Sequence, residues 1–387
     1  MSLPWTKTVK FESFAWFTAD SRGNVDLSKQ KADSGTYDFI DSMGLIVSMK
    51  MVVGKLKDIV KNISINNSLF IDIVAECEKD RVCAKLERLF KNPKVKSLKI
   101  TDEFVGELFY SENTNNITIV TLGGSDGNKD ALSFISALLA SHGFNVLSLA
   151  YFNDKGLPKQ LAEIPLEYFE RVFQWLKKNP ITNGNAIYVH GTSKGGELAL
   201  LLASRYPIIK KVVAVAPHAY CFQGLNYKNV SSWSYEGKSM PFIRLKNRIL
   251  FTNMLDSFIK NKPFGYAYMY KTSVNTAKNK ETARIKVENA KADILLIAGE
   301  KDNIWNTYDG CVEIMDTLAK YNYKYNYNLL AYENAGHPFP LPYIIPVGVT
   351  ASMRLAPRLV FATGGTLEGN AHIQTDSWDR TIEFFKE

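Results

Sequence analysis

A chain of 387 residues, 46% apolar and 22% charged, has the composition of a soluble globular protein and enough length for two or three domains. No run of about 18 apolar residues occurs, which excludes a membrane-spanning helix, and the opening MSLPWTKTVKF carries no signal-peptide core. The net charge of +8 suits an acidic small-molecule ligand, although solvated surface lysines account for it more simply.

The basic stretch at 91–99 is short and lacks interleaved aromatics, so nucleic acid is not expected as a partner. Cys77, Cys83, Cys221 and Cys311 follow no metal spacing. No metal or cofactor is expected, and free thiols in a cytoplasmic protein are the default expectation.

The first fifty residues alternate apolar and polar in short runs, FESFAWF and LIVSMKM, separated by the turn-like DSRGN and ADSGTYD; this is a strand pattern. SLFIDIVAEC is a further strand. KDRVCAKLERLF (79–90), with Val82, Leu86 and Leu89 at helical spacing, predicts a helix. Residues 1–103 are therefore expected to form a mostly β module.

From 104 the rhythm changes. NITIVTLGG predicts a strand, SFISALLASHG a helix and FNVLSLAYF a strand; LEYFERVFQWLKK predicts an amphipathic helix with lysines at its C-terminus and Pro180 beyond. AIYVHG, KKVVAVAP, ADILLIAGE and YKYNYNLLAYENAGH predict strands, and GGELALLLASRYP and CVEIMDTLAKY predict helices. Alternation of this kind predicts a mostly parallel sheet with helices on both faces over 104–387, and ligands bind beyond the carboxyl ends of such strands. The stretch 218–290 breaks the alternation. It is either a cap over the site or a surface excursion, and its length favours the cap.

Gly191-Thr192-Ser193-Lys194-Gly195 is G-x-S-x-G between a predicted strand and a predicted helix. A sharp turn there lifts the serine hydroxyl clear of the sheet, and the helix N-terminus favours a developing oxyanion. A chance match in a glycine-containing turn is the competing explanation, and the strand–turn–helix setting weighs against it. A serine needs a base to take its proton. Of five histidines, His337 in NAGHPF directly follows the last predicted strand. His190 and His218 also fall at strand ends, where packing or substrate lining is the expected role; His142 lies near a helix end, before Gly143, and His372 near the C-terminal helix. Asp302, after ADILLIAGEK, is placed to orient the imidazole, and the order Ser193, Asp302, His337 is that expected of an α/β-hydrolase. The backbone N–H of Lys194 is one expected oxyanion donor. The second is expected from TLGGSDGN (121–128), at Gly124 or Ser125; that loop matches no phosphate-binding motif.

Around these residues the chain resembles the acyl-CoA thioesterases and bile acid-CoA:amino acid N-acyltransferase. FESFAWFTADSRGNVDLSKQKADSGTYDFIDSMGLIVSMK is similar to the family's N-terminal β-sandwich domain. LLASHGFNVLSLAYF, PLEYFERVFQWL, HGTSKGGELALLLAS, GEKDNIW, YENAGHPFPLPY and GGTLEGNAHIQTDSWDRTIEFF are similar to its catalytic domain, in the same order. The resemblance implies a small β domain before an α/β-hydrolase domain, and a serine hydrolase acting on acyl-CoA. Ser193 stands as in the family's thioesterases, where the acyltransferase uses cysteine. GGSDG is more similar to the family's simpler relatives, and the resemblance begins inside the N-terminal domain, so one or two opening strands are expected to be missing. A carboxylesterase acting on oxygen esters, an acyl-CoA:amino acid N-acyltransferase and a non-catalytic binding protein are the competing expectations.

Overall fold

The computed structural model describes residues 1–6, 8–55, 64–78, 80–112, 117–125, 127, 129–182, 184, 186–226, 228–338 and 342–387. Near the N-terminus, Ser2–Thr6 (β1), Val9–Glu12 (β2), Lys50–Val53 (β3), Ser68–Cys77 (β4) and Asp80–Leu89 (β5) form an antiparallel sheet in the order β3-β2-β1-β4-β5. Alternate residues Leu3, Trp5, Val9, Phe11, Leu69 and Ile71 point into a core, as the period of two requires.

The helix expected at 79–90 is instead strand β5; Lys79 itself lies outside the described residues. Asp80–Leu89 pairs along its whole length with β4, from Ser68↔Leu89 to Cys77↔Asp80. Val82, Leu86 and Leu89 are all exposed, at 67%, 44% and 52%. Their helical spacing thus had no partner surface to bury it, and a long cross-strand ladder satisfies the backbone instead.

Eight strands form the second sheet: Lys96–Ile100 (β6), Gly106–Tyr110 (β7), Thr118–Leu122 (β8), Asn145–Leu149 (β9), Ile187–Thr192 (β10), Ile209–Val215 (β11), Asp293–Gly299 (β12) and Tyr327–Tyr332 (β13). Their order is β6-β7-β9-β8-β10-β11-β12-β13, and only β7 runs against its neighbours. This is the α/β-hydrolase order. β6 lies before 103, so the large sheet begins inside the segment expected to be a separate β module.

Helices Lys129–Ser141 (α1), Glu167–Lys178 (α2), Lys194–Ala203 (α3), Asn247–Lys260 (α4), Ala267–Thr276 (α5), Thr307–Lys320 (α6) and Leu367–Lys386 (α7) surround it. Both faces of the sheet are covered, so its central strands are buried at nearly every position rather than at alternate ones. Val212, Ala214, Ile294 and Leu296 pack with α2, α3 and α6, whereas Val213, Val215, Leu295 and Ile297 pack with α1, α7 and the N-terminal sheet. In α2, Phe169, Val172, Phe173 and Leu176 are buried, with Glu167 and Glu170 in the first turn and Lys177 and Lys178 in the last, which complements the helix dipole.

The stretch 218–290 is not a bare loop. It holds α4, α5 and the strand Trp233–Tyr235, which pairs in parallel with Ile164–Pro165. Its Tyr220, Phe222, Trp233, Ile243 and Tyr270 join the core cluster that also contains Leu198 and Trp305. The outer side of α4 leaves Phe251, Leu255 and Ile259 exposed. Among the described residues, no helix is long and apolar enough to cross a membrane.

Candidate active site

The carboxyl ends of β8, β10, β11, β12 and β13 are followed by Gly123, Ser193, His218, Asp302 and His337 in turn. Ser193 occupies the bend between β10 and α3 with φ 57° and ψ −118°. A non-glycine residue held there carries strain of about 1–3 kcal/mol and needs surroundings that enforce it. Its N–H donates to the Val215 carbonyl at 2.8 Å, and its carbonyl accepts from the N–H groups of Gly196 and Glu197.

The two flanking glycines are required by close approach. A Cβ on Gly191 would lie 2.0 Å from the Gly195 carbonyl oxygen, and one on Gly195 would lie 2.3 Å from that of Leu122. Either side chain would push strand, turn and helix apart.

The loop after β8 passes directly against the serine: a Cβ on Gly124 would stand 3.2 Å from Ser193 Cβ and 3.7 Å from its Oγ. Tyr151 Oη donates to the Gly123 carbonyl at 2.5 Å. Because the peptide is planar and trans, holding that carbonyl also fixes the direction of the Gly124 N–H. Ser125 is exposed in the same turn, and Asp126 and Asn128 lie outside the described residues.

Asp302 and His337 are brought together. His337 Nδ1 lies 2.7 Å from Asp302 Oδ2, and the Asp302 side chain is 1% exposed against 15% for His337. The carboxylate is also fixed from other sides. Thr307 Oγ1 donates to Oδ2 at 2.9 Å, and the Ile304 N–H donates to Oδ1 at 2.7 Å. The His337 N–H donates to the Thr363 carbonyl at 3.0 Å, and Asn370 from α7 accepts from the neighbouring Gly336 N–H. With Nδ1 engaged by a carboxylate, Nε2 is the nitrogen left for proton transfer. Phe339, Pro340 and Leu341, in the segment after His337, lie outside the described residues.

The other histidines sit differently. His218 is buried against the rings of Phe222, Tyr220 and Trp305, and burial holds its pKa down to about 3. His190 is buried in β10, and burial lowers it to about 4. Both therefore remain neutral near pH 7. His142 packs on Trp378, and His372 packs on Tyr332.

Sequence reasoning placed Lys194 only as a backbone donor. Its side chain is as informative. The ammonium is 2.6 Å from Glu197 Oε2, with the two side chains 4% and 0% exposed. It lies 5.6–5.9 Å from the ring centres of Trp233, Trp305 and Phe222. Glu197 Oε1 accepts from Trp233 Nε1 at 2.7 Å and from the Phe222 N–H at 3.4 Å. Burial raises the Glu197 carboxyl above its ordinary 4.5, and the Lys194 ammonium opposes that rise. The (i, i+3) spacing of opposite charges in SKGGE was the signal available for this pair.

Residues 2–102 match the acyl-CoA thioester hydrolase/BAAT N-terminal region, and residues 164–387 match the BAAT/acyl-CoA thioester hydrolase C-terminal region. The chain is 30% identical to mouse acyl-coenzyme A amino acid N-acyltransferase 1, over 97% of this chain and 87% of that protein. It is 28% identical to mouse bile acid-CoA:amino acid N-acyltransferase over the same shares. With mouse acyl-coenzyme A thioesterase 1 the identity is 27%, over 98% of this chain and 87% of that protein. Two matching regions that together cover most of the chain, and relatives aligned along nearly all of it, place this protein in the acyl-CoA thioester hydrolase/BAAT family.

Proposed function

We propose that the protein is a serine hydrolase that cleaves acyl thioesters, with acyl-CoA converted to free acid and CoA. The observation that carries this reading is the His337–Asp302 pair at 2.7 Å, set beyond the same sheet edge as Ser193 on its strained turn. His337 Nε2 takes the Ser193 proton as Oγ bonds to the acyl carbon. The N–H groups of Lys194 and of Gly124 or Ser125 receive the oxyanion. The tetrahedral adduct collapses with loss of the C–S bond, and His337 returns the proton to the departing sulfur. Water then gives a proton to His337 and its oxygen to the acyl carbon; the acid leaves and Ser193 regains its proton. Asp302 stabilises the imidazolium in both halves.

The relatives named as N-acyltransferases favour a second reading, in which an amine replaces that water. The serine weighs against it: an oxygen ester is less prone to attack by amines than a thioester. Four free thiols, two of them exposed, support a reducing, cytoplasmic setting. The deciding experiment supplies acyl-CoA thioesters and oxygen esters of varied chain length, with and without excess glycine or taurine, and reads the products by mass. Free acid from acyl-CoA in the presence of amine supports the thioesterase. N-acyl amino acid as the main product establishes the transferase, and cleavage of oxygen esters alone establishes a carboxylesterase.

A further inference from the structure

A cavity of about 840 Å³ opens between the start of α4 and the end of α5, lined among others by Arg244, Lys246, Arg248, Ser273 and Thr276. Among the described residues, no acidic side chain lines it, and none of these three cations forms an ion pair. That sets it apart from its neighbours. The cavity beside α2 mixes Arg171 with Glu103, Glu167 and Glu170. The one holding Arg284 has that cation tied to Glu281 and Glu288. All three are exposed, and a concavity lined by one sign of charge draws an anion toward it. The first turn of the 14-residue α4 adds its dipole to the same wall. Its entry is fixed from behind: the Leu245 N–H donates to Gln223 Oε1 and the Lys246 N–H to Ser273 Oγ, each at 3.0 Å.

The position of the cavity relative to the catalytic groups is set by α5. At its start, the N–H groups of Tyr266 and Ala267 donate to the carbonyl of Asn303, the residue after Asp302. At its other end, Ser273 and Thr276 face the cavity. Ten residues of helix make this separation about 15 Å. CoA carries its thiol on an arm with two amide bonds, about as long as four extended residues, or roughly 14 Å. Beyond that arm come the pyrophosphate and the 3′-phosphate, a compact polyanion.

We infer that this cavity seats the phosphorylated nucleotide of CoA, with Arg244, Lys246 and Arg248 on its phosphates and the pantetheine arm running along α5 toward Ser193. The inference rests on the acyl-CoA reading above for its choice of ligand. It gives the segment 218–290 a task beyond covering the site: it supplies the carrier-binding end of the substrate channel.

The test is direct binding of adenosine 3′,5′-bisphosphate, measured by calorimetry on the wild-type protein and on the variant Arg244→Ser/Lys246→Ser/Arg248→Ser. The wild type should bind and the triple variant should lose about tenfold or more in affinity. In kinetics, the triple variant should raise KM for acyl-CoA by about tenfold with a much smaller change in kcat, since these contacts are made equally in ground and transition states. The ratio of kcat/KM for acyl-CoA to that for the acyl-N-acetylcysteamine thioester, which has no nucleotide, should fall by a similar factor. Arg244→Lys/Arg248→Lys keeps the charge and should keep most of the bisphosphate affinity; this holds the inference open to refutation even if the triple variant is poorly folded. Equal bisphosphate affinity in wild type and triple variant, or no binding by the wild type, overturns the inference. If the wild type binds bisphosphate in a manner abolished by the triple substitution yet hydrolyses no acyl-CoA, the thioesterase reading fails and the nucleotide site stands.

Discussion

Replacing Lys194 by methionine keeps the backbone N–H expected at the oxyanion and most of the side-chain volume, but removes one charge from a fully buried pair. Glu197 would then keep only Trp233 Nε1 and the Phe222 N–H as donors, inside a core where its side chain is 0% exposed. Breaking one side of such a pair costs about 3–5 kcal/mol, because a buried charge is left uncompensated. Unfolding entropy of about 2.1 cal/mol/K per residue makes this a loss of roughly 4–6 °C in Tm for a chain of this length unfolding as a unit. The pH dependence separates charge from packing. Burial already raises the Glu197 carboxyl above 4.5, and loss of the ammonium raises it further. A carboxyl with a raised folded-state pKa favours folding at low pH, and that contribution is lost as pH rises through the folded value. The deficit of the methionine variant against wild type should therefore widen as pH increases above 4.5 and shrink as the carboxyl protonates. Adding Glu197→Leu should recover part of the loss. Calorimetric Tm across a pH series reads all of this. A deficit independent of pH, or losses that add in the double variant, would refute the electrostatic account and leave only altered packing.

The remaining predictions concern turnover. Ser193→Ala should abolish labelling by a fluorophosphonate, read by peptide mass, and lower kcat by about 10⁴-fold or more; labelling at another residue would displace Ser193 as nucleophile. His337→Ala should cost about as much as Ser193→Ala and the double variant little more, since groups that act as one unit are not additive; additive losses would make another histidine the base. Asp302→Asn should lower kcat by roughly 10³- to 10⁴-fold with KM little changed, and a normal kcat would leave His337 without need of it. Tyr151→Phe frees the Gly123 carbonyl and should cost about tenfold in kcat, less than outright loss of an oxyanion donor; unchanged kcat would show that the Gly124 peptide is held without it.

Strands β8 to β12 were legible because they are short, largely apolar runs bounded by turn residues, and α2 because it shows an unbroken amphipathic stripe ending in Lys177 and Lys178. Residues 79–90 misled because period alone does not say what a stripe will face. Val82, Leu86 and Leu89 fit a helix in sequence, but β4 offered a partner edge of equal length and won. That Lys96–Ile100 joins the large sheet was hard to read for a related reason. Asn92-Pro93 marks a break before KSLKI, but a break does not say which sheet the next strand joins, and only the ladder Lys96↔Tyr110 to Ile100↔Gly106 reveals it. In 218–290, α4 and α5 have weak apolar patterning, and their placement is set by tertiary contacts such as Tyr270 on Trp305.

Ser193, Asp302 and His337 could be singled out because a strand-end loop is where a sheet of this kind presents chemistry, and each lies one to three residues beyond a strand or in the loop after one. What surrounds them could not be read the same way. Thr307, which fixes Asp302, looks like an ordinary helix-start threonine, and Tyr151, which fixes the Gly123 carbonyl, looks like a core aromatic. Lys194 is the sharpest case. A lysine on the first turn of a helix reads as solvent-facing, since lysines are almost never fully buried unless paired. Its burial follows from three aromatic rings drawn from distant parts of the chain, Phe222, Trp233 and Trp305, closing over it. Two of them belong to 218–290 and the third follows Asp302, so the same side chain ties the helix that starts after Ser193 to the 218–290 segment and to the loop that carries Asp302. A charge held in that position anchors the first turn of α3, directly after the strained Ser193, to both segments, and a desolvated pair of this kind holds its partners in one arrangement because a shift of either would leave a buried charge uncompensated.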